Sequence, residues 1–158
     1  MELSELLVPE AVVASLKVAN KKQLLQELSS RAAALTKISE GRINEILTER
    51  ERLGSTGMGQ GIAIPHGRVP GLDKIVGMFA QLENPIPYDA VDDQPVDLVF
   101  LLLAPEGAGA DHLKALARVS RLLRNQAVCE KLRAAKKSEV LYALLTEPTN
   151  GGTSSQAA

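Results

Sequence analysis

The chain has 158 residues, 45% hydrophobic and 23% charged, with a formal net charge of −1. That is enough for one hydrophobic core, and it offers no electrostatic ground for nucleic acid or an anionic membrane surface as a partner. A single cysteine, Cys129, excludes an intrachain disulfide, and with only two histidines a structural zinc site lacks ligands, so neither metal nor cofactor is expected.

The acidic start MELSELLVPE lacks a signal-peptide core, and no stretch approaches 18 apolar residues, so a cytoplasmic protein without membrane insertion is expected. Val12, Val13, Leu16 and Val18 suit a short edge strand. Asn20, with Gln23 three residues on, caps a helix carried by Leu24, Leu25, Leu28, Ala32 and Leu35 to about Lys37. Ser39 starts a second helix on the stripe Ile43, Ile46 and Leu47; the run Glu49, Arg50, Glu51, Arg52 brings it to a stop at Gly54.

The period then changes. Ile62 to Ile64, Ile75 to Leu82 and Val96 to Leu103 read as three strands, the last a continuous apolar run suited to a sheet centre covered on both faces. Helices return at Asp111 to Arg124, at Gln126 to Ala134 behind the cap Asn125, and from Ser138 to about Leu145. Cys129, beside Val128 and Leu132, reads as a small buried hydrophobe. The polar tail EPTNGGTSSQAA reads as disordered, so the chain divides into a single domain over residues 1–146 and a tail over 147–158. This order predicts an α/β fold, a mixed β-sheet sandwiched between α-helices, not a doubly wound sheet.

Three features carry chemistry. GSTGMGQG has neither the lysine of a Walker loop nor the strand-to-helix context of a dinucleotide fingerprint. Gly57, Gly59 and Gly61, interleaved with Ser55 and Thr56, suit either a flexible linker or a backbone that closes on an anion. His66 stands between Pro65 and Gly67 at the end of an apolar run, where it is either presented to a ligand or exposed in a turn. On the following helices, a phase of about 100° per residue turns His112 towards the core with Leu116, Val119 and Leu123, and turns Lys114, Arg118 and Arg121 away. The same count turns Arg50 inward and Arg52 outward. His112 would then be a core histidine or a site group, and Arg50 a cap, an ion-pair partner or an anion clamp.

Two imidazoles and a guanidinium, without a Ser or Cys nucleophile, suit a phosphoryl group carried on histidine. A general-base hydrolase would want a carboxylate to orient the histidine, and none is placed locally to claim that role. The order of Arg50, GSTG, GIAIPHG and DHLKALARVSRLL resembles the enzyme IIA domains of the mannitol and fructose type from the bacterial phosphoenolpyruvate-dependent phosphotransferase system. The spelling GSTGMGQGIAIPHGR and the segment LENPIPYDAVDDQPVDLVFLLLAPEG are similar to the nitrogen-regulatory branch of that family. The resemblance implies that His66 is phosphorylated at Nε2 by an HPr-like phosphocarrier, itself charged by an enzyme I. It further implies that His112 orients the reacting groups, that Arg50 clamps the phosphate, and that Ser55 and Thr56 supply hydroxyls to the phosphate-binding loop. Regulatory target proteins would be bound according to phosphorylation state; the alternative is a sugar-transport IIA component that hands phosphate to a separate IIB protein.

Overall fold

The computed structural model describes residues 1–147; the tail expected to be disordered lies, over 148–158, outside the described residues. After 3-10 turns at Leu3–Glu5 and Pro9–Ala11 come β1 (Val12–Leu16), α1 (Lys21–Thr36) and α2 (Glu40–Leu53). The short strands β2 (Gly57–Gly59), β3 (Ile62–Ala63) and β4 (His66–Arg68) follow, then the long β5 (Val76–Ile86) and β6 (Val96–Ala104). Helices α3 (Ala110–Leu123), α4 (Gln126–Ala134) and α5 (Ser138–Thr146) complete the described chain.

The expected caps form: Asn20, Ser39 and Asn125 each accept the N–H of the residue three places on, respectively Gln23, Arg42 and Val128. Cys129 is buried, its thiol donating to the carbonyl of Leu123.

The sheet is mixed, in the order β1-β5-β6-β3-β2, with β4 also on β6. Strands β3 and β4 run parallel to β6 along the same edge, and β5 runs antiparallel along the other. Leu98 to Ala104 are all at most 1% exposed whichever way they point, so β6 is covered on both faces.

Cross-strand register fixes which face each side chain takes. Gln81, opposite Leu98, donates its amide N–H groups to the carbonyls of Leu132 and Ala135 and so faces α4. His66, opposite Leu102, shares that face by parity, whereas Gly67, opposite Leu103, lies against Ile46 of α2. The helices therefore form a layer on each side, as expected.

Two strand readings change. The glycine run is no open loop: Gly57 and Gly59 pair with Ala63 and Ile62 in a hairpin, because the turn at Gln60–Gly61 takes positive φ at both residues. His66 does not end the strand of Ile62; it opens a separate one after a break at Ile64 and Pro65. In addition, β5 runs on to Ile86, past Leu82.

Helix phase misplaces one residue. Lys114 and Arg121 are exposed as expected, but Arg118 is buried, its Nη2 lying 3.8 Å from Glu2. It stands at the margin of the apolar stripe, and burial there depends on which distant segment covers the helix.

Gly67 packs so closely that a Cβ there would lie 2.6 Å from Cγ2 of Ile46, a branched position that cannot swing aside. Gly67→Ala is expected to destabilise the fold by about 1–3 kcal/mol, read as a lower urea midpoint at unchanged m-value.

Candidate active site

Register brings the two histidines together. His66 pairs with Leu102 towards the carboxyl end of β6, and α3, which follows that strand, carries His112 in its first turn on the sheet-facing stripe. Their ring centroids are 5.7 Å apart at 70°, an edge-to-face approach. Ligand sites of α/β sheets favour this strand end.

His66 is half-buried, and its Nδ1 lies 2.8 Å from the carbonyl of Ile64. A carbonyl only accepts, so Nδ1 carries the proton and, in the neutral ring, the lone pair sits on Nε2. Burial lowers the His66 pKa from its ordinary 6.5; the Ile64 carbonyl opposes this, Arg50 adds to it and Glu51 opposes it. His112 is 5% exposed, and burial, then the charges of His66 and Arg68, lower its pKa too. Its Nε2 is one of two buried side-chain polar atoms, with Asn44 Oδ1, that lack a hydrogen-bond partner among the described residues. The site therefore holds two neutral imidazoles at pH 7, one with an unused polar atom.

Arg50 is half-buried at the end of α2, and its Nη1 donates to the carbonyl of Gly54 at 2.7 Å. This is the expected C-terminal cap, yet the guanidinium also lines a cavity of about 330 Å³ together with His66, Ser55 and Thr56. Met58, Ile64, Leu116, Ala117 and Ser120 complete it, giving a mostly apolar wall that raises the strength of any charge interaction inside. Arg52 points away and pairs with Glu49, as the helical phase requires.

The glycines stand elsewhere. Gly57, Gly59 and Gly61 do not line this cavity; a Cβ at Gly61 would meet the Arg133–Asp97 ion pair. Two of the amides here have side-chain partners: Gly57 N–H donates to the Ser55 hydroxyl at 3.0 Å and Gln60 N–H to Asp92 at 2.8 Å.

One carboxylate was missed by sequence reasoning. Glu51, its side chain 6% exposed, accepts hydrogen bonds from Lys21 Nζ, the N–H and hydroxyl of Thr56, and the hydroxyl of Tyr88. The signal was present, since Glu51 continues the spacing of the buried Ile43 and Leu47. Burial, with the Glu51 charge, drives the Tyr88 pKa up and keeps the phenol protonated. Among the described residues no cluster of His, Cys, Asp and Glu is placed to hold a metal ion, and no helix is long and apolar enough to cross a membrane.

Comparison with known proteins shows the family and the fold. Residues 5–147 match the family described as the phosphoenolpyruvate-dependent sugar phosphotransferase system, EIIA 2. The chain is 55% identical over 148 residues to a nitrogen regulatory protein of Bradyrhizobium diazoefficiens, covering 94% of this chain and 97% of that one. The crystal structure of the nitrogen regulatory protein IIA-Ntr from Neisseria meningitidis superposes with a TM-score of 0.87 at 36% identity, covering 91% of this chain and 99% of that one. The Escherichia coli mannitol IIA structure, at 20% identity and a TM-score of 0.74 over 87% of this chain and 97% of that one, shares the fold.

Both histidines have folded-state pKa values below 6.5. The unfolded chain therefore binds more protons just below that pH, so stability is fully present above it and is lost as pH falls towards the folded values. Urea unfolding should show stability dropping as pH falls below about 6.5, with a shallower drop in His112→Gln; equal slopes would separate His112 from the effect.

Proposed function

The chain belongs to the EIIA 2 family of the phosphoenolpyruvate-dependent sugar phosphotransferase system, and from that premise we propose that it is a cytoplasmic phosphocarrier of the nitrogen-regulatory branch. Nε2 of His66 accepts a phosphoryl group from the phosphohistidine of an HPr-like carrier. The observation that carries this reading is the Nδ1 bond to Ile64, which leaves Nε2 as the free nucleophilic nitrogen beside Arg50 and His112.

In the transfer, the Nε2 lone pair forms a bond to phosphorus while the phosphorus–nitrogen bond to the carrier breaks, its electron pair returning to the carrier imidazole. The His66 ring keeps its Nδ1 proton against the Ile64 carbonyl, so it bears positive charge next to the phosphoryl oxygens. Arg50 offers two-pronged donation to those oxygens from the cavity wall. His112, adjacent and buried, orients the ring and supplies the orphaned Nε2. Ser55 and Thr56 shape the cavity floor; the Thr56 hydroxyl is turned to Glu51. Catalysis here is positioning and charge stabilisation.

Phosphorylation adds about −1.5 to −2 charges and three acceptor oxygens at a cavity whose lining residue Met58 is itself half exposed to solvent. Such a change rejects one partner surface and suits another, which makes the modified histidine a switch for regulatory target proteins. The names of the relatives at 55% and 36% identity support regulation over sugar transport.

Incubation with phosphoenolpyruvate, enzyme I and an HPr-type carrier should place one acid-labile, base-stable phosphate on the chain, and none on His66→Ala. Arg50→Ala should slow uptake by roughly tenfold to a hundredfold and Arg52→Ala by less than about twofold, with His112→Ala slower but folded. Uptake by His66→Ala would refute the assignment. Efficient onward transfer to a purified IIB protein would return the chain to sugar transport.

A further inference from the structure

The buried Glu51 carboxylate takes no part in the transfer step, yet it is the most fully hydrogen-bonded side chain near the cavity. Oε1 accepts from Lys21 Nζ and from the Thr56 N–H, each at 3.1 Å. Oε2 accepts from the Thr56 hydroxyl and from the Tyr88 hydroxyl at 3.1 Å. The Lys21 ammonium also stands 4.4 Å over the Tyr88 ring. A carboxylate in such a place is costly unless fully paired, and filling the position behind Ile43 and Leu47 needs only an apolar side chain.

What the charge does that an apolar residue could not is grip one turn from below. Glu51 holds Thr56 by both its amide and its hydroxyl, while the carbonyl of Gly54 at the other end of the turn holds Arg50. Consecutive residues of α2 thus anchor the two ends of a three-residue turn: Glu51 on the protein side, Arg50 on the cavity side. Its field also reaches His66, where it opposes the effect of Arg50.

We propose that Glu51 is a positioning residue for phosphoryl transfer: with Lys21 as its counter-ion, it holds the Gly54–Thr56 turn so that the Arg50 guanidinium is aimed at the phosphoryl oxygens. This rests on the phosphocarrier reading of His66. A merely structural carboxylate would alter stability alone; a positioning one alters kcat at unchanged KM.

The test compares the full chain as wild type, Glu51→Gln, Glu51→Asp and Lys21→Met, in steady-state transfer from a phosphorylated HPr-type carrier. Alongside it, NMR follows the pH titration of the His66 imidazole in the unphosphorylated proteins. Glu51→Gln should lower kcat about tenfold with KM for the carrier within about twofold, because aim is lost and docking is not. It should also lower the His66 titration midpoint, since the negative charge opposing Arg50 is removed. Glu51→Asp should recover part of both, and Lys21→Met should lower kcat about threefold at unchanged KM. Wild-type kcat in Glu51→Gln, whatever the midpoint, or a loss confined to KM, would overturn the proposal. If Glu51→Gln does not fold, a wild-type kcat in Lys21→Met overturns it instead. Failure of the wild type itself to take up phosphate would remove the phosphocarrier reading and this role together, whereas equal uptake by wild type and Glu51→Gln removes the positioning role alone.

Discussion

His66 gives its Nδ1 proton to the carbonyl of Ile64, across the break that Pro65 makes between two short parallel strands. The carbonyls of Gly61 and Pro65 face β6 and accept from Leu98 and Leu102, so by alternation the carbonyl of Ile64 points away from that strand and meets the ring instead. That bond holds the imidazole in one tautomer and one orientation, with the lone pair on Nε2. The neighbouring amide of Leu102 bonds to the Pro65 carbonyl, so the interruption is itself tied to the central strand. The rest of the site can be described as what gathers around that one nitrogen.

What gathers there comes from three remote parts of the chain, and β6 makes them neighbours. It pairs along both edges and is covered on both faces, so it cannot shift without disturbing the three strands bonded to it and two helical layers. His66 is placed by its edge, and His112 by the helix that follows its carboxyl end. Arg50 arrives from the opposite layer, at the end of α2, whose approach depends on the missing side chain of Gly67. Partial burial then sets the charge state: both imidazoles are held neutral, and Arg50 is left as the fixed cation at the cavity wall. A neutral nucleophile beside a fixed cation is a suitable ground state for receiving a phosphoryl group with little reorganisation.

Much of this was legible in the residue order, and the misses have a common cause. The caps at Asn20, Ser39 and Asn125, the apolar run of β6, and the inward phase of His112 and Arg50 all express interactions within a turn or two of chain. Arg118 was misjudged because its surroundings, the carboxylate of Glu2 at 3.8 Å among them, lie far away in sequence. Glu51 was passed over as one charge in an alternating run, since charge suggests solvent; its phase alone would have placed it inside, but its donors Lys21 and Tyr88 lie on other elements. The glycine run admitted both a linker and an anion-closing reading because glycine frees the backbone; the hairpin and its close packing are not visible in residue order.

The sequence by itself determined the helices with three of their caps, the long central strands and the mixed α/β class, and it singled out His66 as the candidate, because those follow from periodicity, capping chemistry and a long motif, all of them local. Only the tertiary structure decided that β3 and β4 both lie on β6, that His66 meets His112 at 5.7 Å, and that a buried carboxylate underlies the turn which aims Arg50. Those outcomes depend on which distant faces bury one another, and the free energy of that choice is shared among segments that no local window contains.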